Sequence, residues 1–329
     1  MCASRKPHQG CQNIAGGTTP GNKDTYQRIC ETEGDNIPLF LQYWWMDTVC
    51  KGKRWDVILV GDDGHYCGAM PFLYGRKLGL KYILLPQLTP WSGPWLPDGM
   101  DALGRKATLG ALAYGLHDQK VALCMQRFAP GIAAGDCQRF IEYGFSLTTR
   151  HTYRFDPIPE PTALRGLAAK ERRKGIDAVE AAYTVDRNVD VDEFADFHIA
   201  YWERRSGHDL LSRDFIKRVC STALARKQAL LYGLRDEKGI LMAARFVVYD
   251  SHCAYSLLSA LHADALRNSM TLLVWTMITD LHDRTKAFDF EGGMDPGIGH
   301  FYHSFGTTKT EIPCIYRSRI PFGKKLLHL

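Results

Sequence analysis

Two carboxylates close a short apolar strand pattern near the C-terminus, in Ala287-Phe288-Asp289-Phe290-Glu291, and the pair Gly292-Gly293 follows them. A carboxylate pair beside a flexible backbone can take a proton from a reacting group. In a strand, Asp289 and Glu291 alternate and aim at one face, and two acids so close are expected to push one pKa upward. That suits a base or the recognition of an amino group. It suits equally a strand end whose acids bond backbone or basic neighbours. Pro296 is expected to open a helix carrying His300, Tyr302 and His303. The two histidines, three apart, share a face, but no third ligand joins them in a metal-binding pattern. Cys314 follows them as a conceivable thiol nucleophile.

Other groups are candidates for binding. Lys170, Arg172, Arg173 and Lys174 form a basic cluster on a predicted helix, able to grip phosphates or to serve as a solvated face. Arg267 stands just before another predicted helix, where a phosphate would be met by the helix N-terminus. Trp91 and Trp95 lie in a stiff loop at 86–97 with prolines at 86, 90, 94 and 97. Such a loop either presents Trp91 to a ligand or folds its rings over the core.

The bulk properties narrow the field. A chain of 329 residues is longer than one core usually spans, so two domains are expected. With 45% hydrophobic and 23% charged residues it is an ordinary globular chain, and a formal charge of +5 permits an anionic ligand without demanding nucleic acid. The ten cysteines are scattered, with no C-x-x-C pair, which excludes zinc-ribbon and thioredoxin readings. Buried free thiols in a reducing cytoplasm are the expectation. No secretory signal pattern and no apolar run near the ~18 residues of a membrane span occur. Residues 1–22 are polar and read as a disordered tail.

The elements that must position these groups come in two similar series. Helices are expected at 23–33 and from Pro38 onward, with Phe40, Tyr43, Trp44 and Val49 on or near one face. A hairpin at 55–60 and 66–74 and a strand at 82–85 follow, then helix 101–119, strand 121–128, helix 132–143 and strand 145–155. Pro157, Pro159 and Pro161 mark a linker, so the domains are drawn at 23–157 and 158–329. The second series has a helix at 162–182, weakened at Gly175, a strand at 183–185 and a helix at 192–205. A helix capped by Ser212, strands at 229–234, 241–249 and 252–258, a helix at 267–283 and strand 287–291 complete it. The halves echo each other. Phe72 corresponds to Phe246, and each half ends in a strand running into Tyr-Arg, at Tyr153-Arg154 and Tyr316-Arg317. Each half is a mixed α/β unit, antiparallel strands first and an αβαβ tail after.

This order, with Phe140 and Gly144-Phe145 before the last strand of the first half, resembles the GNAT acyltransferase fold. The tandem pair resembles the Fem-type peptidoglycan aminoacyltransferases and the related FemAB-like acetyltransferases of bacteria. The resemblance spans about 25–329, and the segment from Phe288 through Gly306 is its most specific part. It implies an α/β (α+β) chain of two tandem GNAT-like domains, each a mixed, mostly antiparallel sheet flanked by helices. It implies a cytoplasmic acyl- or aminoacyltransferase acting on an amine of a cell-wall precursor or similar small substrate, with Asp289 and Glu291 as catalytic candidates. Substrate-binding candidates are Trp91, Arg172, Arg173, Lys174, Arg267, His300, Tyr302 and His303. An acyl-CoA enzyme of this fold carries a glycine-rich loop for the pyrophosphate, and the equivalent stretch at 263–270 has none. That favours aminoacyl-tRNA over acyl-CoA as donor, with the tRNA acceptor end as partner. An acyl-CoA-dependent N-acetyltransferase of an amino sugar or metabolite, and a degenerate domain that only binds a glycan or peptide precursor, stay open as alternatives.

Overall fold

The structure is a computed structural model that describes residues 22–62, 65–130, 132–206 and 211–321. The expected tail lies outside these residues except for Asn22, which starts the first helix. The chain divides into two compact units. One is Met1–Arg150 with Glu311–Leu329, and the other is His151–Thr310. The division falls just ahead of the proline linker, and the last strand of the chain is counted with the first unit.

The first unit begins with α1 (Asn22–Glu33) and α2 (Tyr43–Val49). Pro38 precedes a short 3-10 turn, Leu39–Leu41, rather than opening the second helix directly. Then come β1 (Trp55–Asp62), β2 (His65–Lys77), β3 (Leu80–Leu84), α3 (Ala102–Asp118), β4 (Leu123–Arg127) and α4 (Ala134–Glu142). Asp101 caps α3 by accepting from Gly104 N at 2.7 Å. The strands run in the order β1-β2-β3-β4, with only the β3–β4 pair parallel. Ile58, Phe72, Leu112, Leu116, Phe128 and Phe140 fill the core where α3 and α4 pack on this sheet.

β5 (Ser146–Phe155) crosses the division, and residues 151–155 open the second unit. The helix expected over 162–182 is three short pieces, α5 (Leu164–Leu167), α6 (Lys170–Arg173) and α7 (Ile176–Ala182). Gly175 at φ 75° forces the last break, in a left-handed conformation that continues no helix. β6 (Thr184–Asp186), α8 (Val191–Ser206), α9 (Arg213–Ala225), β7 (Ala229–Arg235), β8 (Leu241–Tyr249) and β9 (Cys253–Leu261) follow. Then come α10 (Ser269–Leu281), β10 (Ala287–Asp289), α11 (Pro296–His303) and β11 (Thr308–Ser318). The order is β5-β10-β9-β8-β7-β6, antiparallel except for β9–β10. Leu273, Val274, Met277, Ile278 and Leu281 of α10 are wholly buried against the sheet with Phe288, Phe290 and Phe305. Each such side chain contributes about 1.5–3 kcal/mol.

The final strands are exchanged relative to the sequence repeat. β4, late in the first series, pairs antiparallel with β11 from the end of the second, with Tyr316 opposite Met125 and Arg317 opposite Cys124. β10 pairs with β5 from the end of the first series, with Asp289 opposite Arg154. The closing strand of each sequence half therefore pairs with a strand of the other half.

Candidate active site

The carboxyl end of β10 is built by its neighbours. Ala287, Phe288 and Asp289 face Cys253, Ala254 and Tyr255 on β9. The ladder to β9 ends there, while β9 runs on to Leu261. Phe290 instead donates its N–H to Tyr153 O at 2.9 Å. Three successive residues then take positive φ, with Glu291 at 57°, Gly292 at 82° and Gly293 at 105°. The expected common face for Asp289 and Glu291 is thereby lost, because the strand stops at Asp289 and the backbone turns at Glu291. Gly293 is required for space as well as conformation, since a Cβ there would come within 2.7 Å of the Tyr153 ring.

Asp289 is fully buried. Its Oδ1 accepts the Thr152 hydroxyl and, at 2.9 Å, the N–H of Glu291. Its Oδ2 meets no donor among the described residues. Burial pushes the carboxyl pKa up to about 6, against the pull of Thr152, the Glu291 N–H and the nearby Arg154 charge. The upward shift expected from two neighbouring acids is present, but desolvation causes it. Asp289 is thus a clamp, and it holds the half-buried Glu291 in a left-handed conformation that a non-glycine residue resists.

A pH signature follows. Between pH about 4 and about 6 the native carboxyl keeps a proton that the unfolded chain has lost, so stability falls as pH rises through that window. The loss is on the order of 3 kcal/mol and complete above pH about 7. Denaturant melts of Asp289→Asn are expected to lack this slope. Parallel pH profiles for the variant and the native chain would contradict the assignment.

α11 starts where Asp295 accepts from Gly297 N at 2.9 Å and Ile298 N at 3.0 Å, with Pro296 first in the helix. The helix brings Tyr302 onto Phe290, ring centroids 5.0 Å apart. Burial, and then the charges of Glu291 and Asp289, push the Tyr302 pKa up, against the opposing pull of Arg245 on β8. The phenol therefore keeps its proton at neutral pH. His300 and His303 meet different neighbours. His300 Nε2 lies 3.0 Å from Glu171 Oε1, whereas the His303 ring stands 6.0 Å from that of Tyr153.

The basic residues gather at the start of α10. Asn268, at φ 71°, donates from Nδ2 to Glu171 O at 2.8 Å and Lys174 O at 2.9 Å, which fixes α6 against the start of α10. Arg172 lies 5.0 Å over the Phe301 ring, and its Nε is buried without an acceptor among the described residues. Burial, and then the charge of Arg267, lower the Arg172 pKa. Arg173, Lys174 and Arg267 are exposed. Among the described residues no group of three or more His, Cys, Asp or Glu forms a metal-binding cluster.

Trp91 is elsewhere. It is 2% exposed in the first unit and meets Phe40 edge-on, centroids 5.4 Å apart. Trp95 donates from Nε1 to Asn36 O at 3.0 Å. The proline-rich loop is folded inward, so Trp91 presents no ring to a ligand. The eight described cysteines are all buried and free. Burial pushes the Cys314 thiol up, away from the thiolate a nucleophile needs.

Sequence reasoning missed Thr152, Tyr153, Arg245, Ser256 and Asn268. Arg245 left a signal, as the one charged residue within the apolar run of β8. The others are small or neutral, and only their neighbours give them a role.

Residues 164–300 match the family model described as an acetyltransferase (GNAT) domain. Among solved structures the chain is similar to FemX, at 15% identity and a TM-score of 0.66, over 94% of this chain and 97% of that one. It is similar to a tandem GNAT protein from the clavulanic acid biosynthesis pathway, at 12% identity and a TM-score of 0.57, over 94% and 99%. It is also similar to L-PGS from Bacillus licheniformis, at 13% identity and a TM-score of 0.55, over 96% and 97%. At these identities the likeness is one of fold, two GNAT units in tandem. No curated protein matches the sequence.

Proposed function

We propose that this chain, whose fold is that of the Fem-like tandem GNAT proteins, is an acyltransferase that transfers an acyl or aminoacyl group directly to an amine at the carboxyl end of β10. The observation that carries this reading is the clamp of buried Asp289 on the strained, half-buried Glu291, beside a protonated Tyr302. Glu291 is the general base. It takes the proton from the amine as nitrogen bonds to the acyl carbon, and the bond from that carbon to the donor oxygen or sulfur breaks. Tyr302 supplies a proton to the leaving group. Asp289 is a positioning residue. The edge of β9 beyond Tyr255, released from β10, offers backbone donors for the oxyanion.

The donor is held by phosphate at the start of α10, where Arg172, Lys174 and Arg267 stand. Residues 263–270 contain no glycine to bring backbone close to a pyrophosphate. This supports aminoacyl-tRNA as donor, met at its acceptor end, and a cell-wall precursor or similar amine as acceptor. The likeness to FemX and L-PGS supports the same class.

The test measures product with charged tRNA and with acetyl-CoA, each offered a muropeptide precursor. Transfer from charged tRNA, lost in Glu291→Gln, is expected. Transfer from acetyl-CoA alone would sink the donor assignment, and precursor binding without turnover from either donor would sink the enzyme reading of this site. Arg267→Ala is expected to raise the donor KM roughly fivefold, about 1 kcal/mol, with kcat unchanged, because an exposed phosphate contact is worth about that much. The effect should fade at high salt. A KM that does not respond to the substitution removes Arg267 from the donor site.

A further inference from the structure

Acyl transfer to a simple amine leaves the polar centre of the second unit unexplained. Arg245 lies in the middle of β8, on the face covered by α10. Ala243 and Val247, its neighbours on that face, are wholly buried in the apolar core. Arg245 is 3% exposed. The Tyr302 phenol acts on its charge, but Nε and Nη1 have no acceptor among the described residues. A buried cation left in that condition is costly, and such groups are ordinarily paired.

A second observation stands beside it. The β8–β9 register shifts between Phe246 and Val247, so that Phe246 faces Leu258 while Val247 faces Ser256, a bulge at Leu257. Bulges concentrate beside functional sites because they re-aim side chains. Ser256, opposite Val247, shares the face of Arg245, and its Oγ is likewise buried without a partner among the described residues. It directly follows Tyr255, where the β9–β10 ladder ends. Tyr302 stands near both Arg245 and the acids, since the charges of Arg245, Glu291 and Asp289 all act on its phenol.

We propose that Arg245 and Ser256 receive a carboxylate carried by the amine substrate, so that the acceptor is an amino acid or peptide with a carboxylate close to its reacting nitrogen. The identity of the carboxylate-bearing molecule as the acceptor rests on the acyl-transfer reading above; the carboxylate site itself does not. One guanidinium is balanced by one negative charge. A phosphate dianion would bring excess negative charge beside Asp289 and Glu291. The planar guanidinium suits a planar carboxylate, and Ser256 Oγ–H adds a donor.

The test uses the full chain and reads melting temperature and titration calorimetry. The probes are alanine and alanyl-alanine, with alaninamide and ethylamine as matched amines lacking the carboxylate, and inorganic phosphate. Alanine or the dipeptide is expected to bind at least tenfold more tightly than alaninamide, and the two probes separate a free amino acid from a peptide terminus. Arg245→Met should melt at or above the native temperature without ligand and lose this preference. Arg245→Lys, which keeps the charge, should retain part of it. Equal binding of acid and amide, an unchanged preference in Arg245→Met, or a response to phosphate alone would overturn the proposal. Glu291→Gln separates the two readings. Carboxylate binding kept in that variant, with no acyl transfer in the native chain, would defeat the acyl-transfer reading of the site and leave this one standing.

Discussion

Glu291→Gln is expected to lower kcat by two to four orders of magnitude while leaving the fold and the melting temperature near native, because the loss of a general base costs about that much. The carboxylate is replaced by an amide of the same size, and the backbone contact that sets its position is made by the Glu291 N–H rather than by its side chain. Glu291→Gly sharpens the test. The native residue sits at φ 57°, where a Cβ costs roughly 1 kcal/mol and glycine costs nothing. The glycine variant should therefore be more stable than the native chain by about that amount, and equally inactive. A gain in stability with loss of turnover is what strain held for function produces. Full turnover in the glutamine variant would remove Glu291 as the base. A loss of stability in the glycine variant would mean that its side chain, not its backbone, holds the turn.

The second large effect concerns where the chain can be cut. A fragment of residues 158–329, divided at the proline linker, is expected not to fold. It lacks β5, so Phe288 and Asp289 lose the strand that pairs with them. The buried Asp289 carboxylate loses the Thr152 hydroxyl, and the core loses Phe155. An unsatisfied buried carboxylate costs about 1–3 kcal/mol or more, and the missing ring about 1.5–3 kcal/mol. Those losses consume much of a typical stability of 5–15 kcal/mol. The same fragment also carries β11, whose partner β4 is absent from it. A fragment of residues 151–310 keeps the paired part of β5 and should give a cooperative melt by circular dichroism. If the fragment cut at 158 melts cooperatively and the one cut at 151 does not, the exchanged strands are not what stabilises the unit.

Local chemistry carried much of the fold. Ser212 caps α9 as the spacing predicts, its hydroxyl accepting from Phe215 N. Gly175 ends a helix because its backbone geometry is set within a residue or two. The apolar period of α10 places its helix within a few residues. The echo between the halves and the run from Phe288 to Gly306 pointed to a tandem acyltransferase, and the family match and the solved structures bear out that fold.

The amino-acid sequence by itself determined the element types, the repeat and the acidic end of β10, because propensity, capping and periodicity act over a few residues. Tertiary structure decided which strand closes each sheet, since pairing β10 with β5 joins residues more than a hundred positions apart. It also separated the two acids. Asp289 and Glu291 look equivalent in the sequence, yet burial makes one a clamp with its pKa raised to about 6, and a left-handed turn makes the other the accessible base of the proposed reaction. Desolvation and backbone strain are properties of a place in the fold, and neither is written in the residue types.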